Sequence, residues 1–265
     1  MSGLFIIEDE HDVDSEILTP RDFAKGLEFT RQTPFGEIPM VPPMPKELIY
    51  PSSEIEARIK AKQAEQSQLS DMLKYFKIDV LNQEKTNFCW FNSPTFSVMA
   101  LRAAQGLPYI RLSPASGAAQ ITNYRNVGGY GEQAFRWITT KGIAPQELWP
   151  ANAIDRQYHT SVTDQAALNF RVHEWYELEP GNMDQVVSML LRNIPVCVGL
   201  NWWGHEVTYI DALWLDGALA ILFANSWGTG WGQNGYGILR GNRMKPSDAV
   251  APATTVSSLG WKVAA

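Results

Sequence analysis

Cysteine is scarce in this chain: two residues, Cys89 and Cys197, among 265, too few for a disulfide framework. At this length a core needs no covalent staples, so one large domain or two small ones is expected. No apolar run approaches the ~20 residues that a membrane helix needs. The N-terminus also lacks the basic-then-apolar pattern of a secretion signal. Positive charge is in deficit, with 22 Lys and Arg against 28 Asp and Glu. Glu8, Asp9, Glu10, Asp12, Asp14 and Glu16 crowd the opening, and the remainder is balanced at 22 of each sign. Nothing there resembles a basic nucleic-acid footprint. There are no internal repeats and no G-x-S-x-G elbow. Gly128-Gly129-Tyr130-Gly131 lies outside any strand-to-helix unit that would bind a nucleotide. His205-Glu206 opens like a zinc-binding HExxH, but Tyr209 stands where the second histidine belongs. The expectation is no metal, no cofactor, no nucleic acid and no membrane.

What is present divides into an arm and a domain. Residues 1–50 are acidic and then proline-rich, through Pro34, Pro39, Pro42, Pro43 and Pro45, which favours extended backbone. Three readings stay open for this arm: an extension wrapped over the domain, a segment docking on another protein, or an inhibitory propeptide. Residues 51–265 form the domain, helical to about 180 and sheet-forming from about 181. Ser53 and Glu56 make a capping-box pattern, opening a surface helix whose apolar stripe runs through Ile55, Ile59, Leu69, Met72, Leu73 and Phe76. Glu132–Thr140 and the Asn182-capped run through Leu191 have helical spacing, with a loop-rich stretch over 109–127. Strand-like runs follow at Pro195–Leu200, His205–Leu215, Leu219–Ala224 and Tyr236–Arg240, with Asp216-Gly217 as a hairpin turn. Helices first and antiparallel strands later give the α+β class.

The chemistry concentrates at Cys89. It stands where a polar loop enters a helical run carrying Phe96, Met99, Ala100 and Ala103, stopped by Gln105-Gly106-Leu107-Pro108. A thiol in the first turn of a helix faces unpaired N–H groups and the positive end of the dipole, which favours ionisation. Gln83, six residues upstream, is placed to aim a side-chain amide at the same point. Cys197 alternates with apolar neighbours and reads as core. His11, His159 and His173 have no catalytic context.

These segments resemble the papain-like cysteine peptidases. Gln83 through Cys89-Trp90 resembles the active-site segment of that family, and Gly204-His205-Glu206-Val207 the histidine segment. Asn225-Ser226-Trp227-Gly228-Thr229-Gly230-Trp231-Gly232 matches the asparagine motif. Leu112-Ser113-Pro114 and Gly128-Gly129-Tyr130 fall in family order, and the likeness spans roughly residues 75–240. The resemblance implies a two-lobed fold, a helical half against a barrel-like antiparallel sheet half, with the cleft between them. It implies Cys89 as nucleophile, His205 as base and acid, Asn225 as orienter of the imidazole, and Gln83 as oxyanion donor. Trp227 would shield the Asn–His hydrogen bond, and Gly128, Gly129 and Gly199 would line the substrate cleft. A protein or peptide is the implied substrate. An amidase or isopeptidase using the same residues is one alternative. A second is a structural papain-like domain in a phage particle, with a phage structural protein as partner of the arm.

The chain departs from the family in ways that set further expectations. Thr86 and Asn126 stand where secreted members carry a disulfide, so two free thiols are expected, in an intracellular or virion setting like that of the short phage-encoded members. Asn87-Phe88 puts bulk before the cysteine, and Pro94 inside its helix removes one backbone bond, which predicts a bend. Gly199 predicts a wide specificity pocket tolerant of bulky apolar groups, unless Phe88 or Trp202 fills it. The hairpin spacing also poses a problem. A two-residue turn at 216–217 pairs Asn225 with Thr208, on the opposite face from His205, unless a bulge or a longer loop intervenes; the resemblance implies such an adjustment.

Overall fold

The computed structural model describes residues 4–28 and 33–252. Its centre is a seven-stranded sheet in the order β1-β6-β5-β4-β3-β7-β2. In chain order the strands are β1 (Ile6–Ile7), β2 (Trp175–Leu178), β3 (Val196–Leu200), β4 (His205–Leu215), β5 (Ala218–Ala224), β6 (Tyr236–Leu239) and β7 (Asp248–Pro252). All neighbours are antiparallel except β1, which lies parallel to β6. The helices are α1 (Ser52–Glu65), α2 (Leu69–Tyr75), α3 (Cys89–Ala104), α4 (Ala115–Ile121), α5 (Gly131–Thr140), α6 (Ser161–Ala167) and α7 (Met183–Leu190). This is the α+β arrangement, with the helices largely ahead of the sheet.

Two cores lie on opposite faces of the sheet. On β3, Val196, Val198 and Leu200 join Val186, Val187 and Leu190 of α7 and Ile55 and Ile59 of α1. Cys197, between them, points to the other core, built on α3 with Leu69 and Leu73 of α2 and Ala134, Phe135 and Ile138 of α5. The period-two alternation of β3 is what separates the two layers. Helix α3 is buried along almost its whole length and runs unbroken through Pro94. Asn182 caps α7, its side chain accepting the Gln185 N–H at 3.2 Å.

Several local expectations change. The helix after Pro51 starts at Ser52, with Pro51 at the N-cap position, so Ser53 lies inside it and caps nothing. The apolar stripe is carried by two helices, because Gln66 turns left-handed (φ 51) and ends α1 before Leu69. The stretch 109–127 contains α4, whose Ala and Gly residues pack in the interior. The runs that became β1, β2 and β7 are short or lack alternation, and sequence periodicity passed over them. The arm packs on the rest of the chain: Ile7, Leu18, Val41 and Met44 are buried, and the Trp231 Nε1–H donates to the Leu18 carbonyl at 3.2 Å. Among the described residues no helix is long and apolar enough to cross a membrane. Nor, among them, are three His, Cys, Asp or Glu side chains grouped to hold a metal ion.

Candidate active site

The hairpin at Asp216-Gly217 has two residues with positive φ (51° and 80°), the primed turn that matches strand twist. From Leu215↔Ala218 the register runs regularly to Asp211↔Leu222 and then shifts, so that Tyr209 pairs with Phe223 and Thr208 with Ala224. The bulge at Ile210 therefore places Asn225 opposite Val207, two residues from His205, on the same face. His205 Nε2 is 2.7 Å from Asn225 Oδ1, and both residues are buried. The Asn225 backbone N–H donates to the Gly235 carbonyl at 2.9 Å, and Asn225 Oδ1 also accepts the Ser226 N–H at 2.7 Å. The Trp227 ring lies over the imidazole, centroids 4.5 Å apart and planes 25° from parallel. His205 Nδ1, the nitrogen left over, is buried without a hydrogen-bond partner.

Cys89 opens α3, as the sequence predicts, and the backbone N–H groups of Trp90, Glu206 and Gly26 turn toward its sulfur. These donors favour the thiolate, but burial outweighs them, with the Glu206 carboxyl as a second cause, and pushes the thiol up to about 12. The expectation of an easily ionised cysteine therefore fails for this arrangement. A helix terminus supplies part of a charge, whereas removing water penalises the whole thiolate. Burial likewise lowers His205 to about 3; the Asn225 hydrogen bond opposes it and the Lys25 charge adds to it. Both groups are held neutral.

Gln83 is clamped in place. Its backbone N–H donates to the Ser226 carbonyl at 2.7 Å, its Oε1 accepts from the Ser226 hydroxyl, and its Nε2 donates to the Thr86 carbonyl at 2.8 Å. The second Nε2 hydrogen bond goes to the Ala24 carbonyl, also at 2.8 Å. Ala24 belongs to the arm, and the arm fills the cleft. Phe23 stacks on Trp227, whose Nε1–H donates to the same Ala24 carbonyl at 3.2 Å. Gly129 donates its N–H to the Gly26 carbonyl (2.9 Å) and accepts the Glu28 N–H (3.1 Å), a parallel bridge centred on Leu27. The glycines allow this approach: a Cβ on Gly128 would stand 2.6 Å from the Gly26 carbonyl oxygen, and one on Gly26 would stand 2.1 Å from that of Asn87.

Cys89, His205, Asn225, Gln83, Gly129, Gly128 and Trp227 are thus gathered around one peptide segment. Gly199 does not open a wide pocket, because its Cβ position is taken by Asp248, whose Oδ1 accepts the Gly199 N–H at 2.8 Å. Phe88 is buried against Trp90, and Trp202 stacks on Trp203 under Arg243, so neither lines the cleft. Both cysteines are free; Cys197 lies 3.1 Å from Ser97 Oγ in the core. In place of a disulfide, Asn126 accepts the Asn87 N–H at 2.7 Å and donates to the Lys85 carbonyl at 2.9 Å. The sequence reading missed Phe23–Glu28, whose composition carries no catalytic signal, and Ser226, legible only as the clamp on Gln83.

No protein-family model matches the chain. It is 24% identical to chymopapain of Carica papaya over 178 residues, 59% of this chain and 50% of that one. It is 25% identical to cathepsin O of Mus musculus over 197 residues, 65% and 62% of the two. The chain spans about half the length of chymopapain and somewhat more of cathepsin O. Among solved structures it resembles xylellain, a cysteine protease from Xylella fastidiosa, with TM-score 0.56 and 15% identity over 96% of this chain and 97% of that one. Procathepsin B S9 of Trypanosoma congolense superposes with TM-score 0.59 and 16% identity over 87% and 86%. The fold is therefore the papain-like one.

Proposed function

We propose that the chain is a cysteine peptidase whose cleft is plugged by its own arm. The observation that carries this reading is the seating of an extended peptide at the thiol, its Ala24 carbonyl on the Gln83 amide and its backbone on Gly129. In the reaction, the Cys89 sulfur adds to a substrate carbonyl carbon, and Gln83 Nε2 with the Cys89 backbone N–H holds the oxygen. His205 Nδ1 takes the thiol proton and gives it to the departing amine as the C–N bond breaks. Water, deprotonated by the same nitrogen, then hydrolyses the thioester and restores the thiol. Asn225 keeps Nε2 engaged, so that Nδ1 is the nitrogen that works. The likeness to chymopapain and cathepsin O supports the same chemistry.

The backbone N–H of Gly26, within the arm, favours the Cys89 thiolate. Segment 23–28 acts as a plug, and among the described residues Leu18 before it and Ile38 after it are buried in the core. Gly26→Ala should unseat it, since the added methyl meets backbone at Asn87. A thiol-reactive epoxide should then label the full-length Gly26→Ala protein at Cys89 at least about tenfold faster than the wild type, by loss of about one buried hydrogen bond. Labelling that maps to Cys197, or none once the arm is unseated, would remove the peptidase reading.

A further inference from the structure

A pocket of about 180 Å³ lies beside the loop that carries Gln83, with Asn82 and Glu84 in its wall but none of Gln83, Cys89, His205 or Asn225. Helix α3 contributes Asn92, the stretch before α4 contributes Arg111, and the chain between α5 and α6 contributes Gln146 and Asn152. Asn92 is 2% exposed. Its Nδ2 donates to the Phe88 carbonyl at 2.9 Å, the one hydrogen bond its side chain makes among the described residues, so Oδ1 is left as an acceptor at the pocket wall. A buried amide oxygen without a donor is unfavourable, and a ligand N–H relieves it. Gln146 presents Nε2, because its Oε1 already accepts the Arg111 Nε–H at 3.0 Å. Asn152 presents Oδ1, because its Nδ2 donates to the Asn82 carbonyl at 2.9 Å.

Two charges of opposite sign line the pocket, and neither is paired. Arg111 gives four N–H groups to neutral oxygens, on Gln146, Asp79, Tyr109 and Val80, at 3.0–3.3 Å. These fix the guanidinium and leave one Nη2 N–H and the whole positive charge. Among the described residues Arg111 and Glu84 form no ion pair, with each other or with any other group. A plain anion would meet the Glu84 carboxylate, and a plain cation the Arg111 guanidinium, so both are disfavoured. A zwitterion satisfies both. Leu81, Pro114 and Ala151 form the apolar remainder, and the volume takes several waters or one molecule the size of an amino acid. We propose that this pocket binds a free amino acid with an apolar side chain. Its carboxylate lies on Arg111 and Gln146 Nε2, and its ammonium on Glu84 and the open amide oxygens of Asn92 and Asn152. The pocket is separate from the thiol, so this inference stands or falls without the peptidase reading.

Calorimetric titration of the full-length protein tests it, with L-leucine as the probe. Leucine should bind saturably, at one site per chain, with Kd on the order of 1 mM or below. The analogue 4-methylpentanoate lacks the ammonium and 3-methylbutylamine lacks the carboxylate; each should bind at least about fivefold more weakly. Glu84→Gln, on the surface, should weaken leucine about fivefold and leave 4-methylpentanoate no weaker. Arg111→Gln should weaken leucine and 4-methylpentanoate together. If losing the Arg111 hydrogen bonds unfolds the protein, Glu84→Gln and the two analogues decide the question on their own. Three results would each overturn the inference. One is no saturable leucine binding at about ten times the expected Kd. Another is 4-methylpentanoate binding as tightly as leucine, which would make this a plain anion site. The third is leucine affinity indifferent to Glu84→Gln, which would place the leucine elsewhere.

Discussion

Cys89 and His205 are both neutral under the plug, and that has consequences one residue at a time. Cys89→Ala should abolish turnover of the unplugged protein, since no other group at the site can form the thioester. His205→Ala should lower kcat by roughly 10²–10⁴, the range for a lost general base. Asn225→Ala should lose less, because it orients a ring that still reaches the sulfur; steady-state kinetics on one peptide rank the three. Acid should act on His205 in a calculable direction. Its pKa in the folded protein is about 3, below the 6.5 of an exposed histidine, so the unfolded chain takes up the proton first. The stability it confers is present above 6.5 and is lost as pH falls toward 3. Between pH 7 and pH 5 the wild type should lose about 2 kcal/mol more than His205→Gln in urea unfolding. Parallel pH profiles for the two proteins would contradict the buried, neutral assignment.

Strand β4 ties the site to the fold at one bulge. The register shift beside Ile210 brings Asn225 to the His205 face, and just beyond it Asp211 points at the start of α2. There Asp211 accepts the backbone N–H of Leu69 at 2.9 Å and of Ser70 at 3.2 Å. Burial raises its carboxyl to about 6, so at neutral pH it is still largely a carboxylate capping a helix terminus. Asp211→Ala leaves these donors without an acceptor and should cost roughly 2–3 kcal/mol, with Asp211→Asn retaining part of the capping. Denaturant midpoints of the wild type and the two variants check this; an Asp211→Ala midpoint equal to that of the wild type would show that the cap contributes nothing.

For the whole molecule, the arm is part of the body and also its stopper. Ile7 extends the sheet beside β6, and Leu18 lies in the same core as Trp231. Ile7→Ala should destabilise by about 2–4 kcal/mol, the usual range for emptying a buried aliphatic site. Removing residues 1–22 should lower the thermal midpoint far more than Gly26→Ala, which loosens a short segment and leaves the core intact. A truncated protein as stable as the full chain would mean that these buried contacts carry no net stability. The arm's acids also have local work. Asp9 accepts the backbone N–H groups of Asn242 and Arg243, at 3.2 and 3.0 Å, and Glu8 pairs with Arg240 at 3.5 Å.

The sequence alone determined the helices at 89–104, 131–140 and 183–190, the four central strands, and the order Gln83, Cys89, His205, Asn225. These are legible because each depends on local spacing: helical or alternating periodicity, a cap, a primed turn, a short motif. Parity of the hairpin register posed a problem that a bulge or a longer loop could solve, and the structure solves it with the bulge in β4. The tertiary structure decided what depends on contacts between distant segments. That the helix at Cys89 does not leave an ionised thiol follows from its complete burial and from Glu206 of β4, more than a hundred positions away. That Gly199 makes no wide pocket follows from Asp248 filling the space across the sheet. That Glu177, Glu206 and Asp248 line one pocket follows from β2, β4 and β7, remote in sequence, lying in one sheet, and only the strand order puts these side chains in one place.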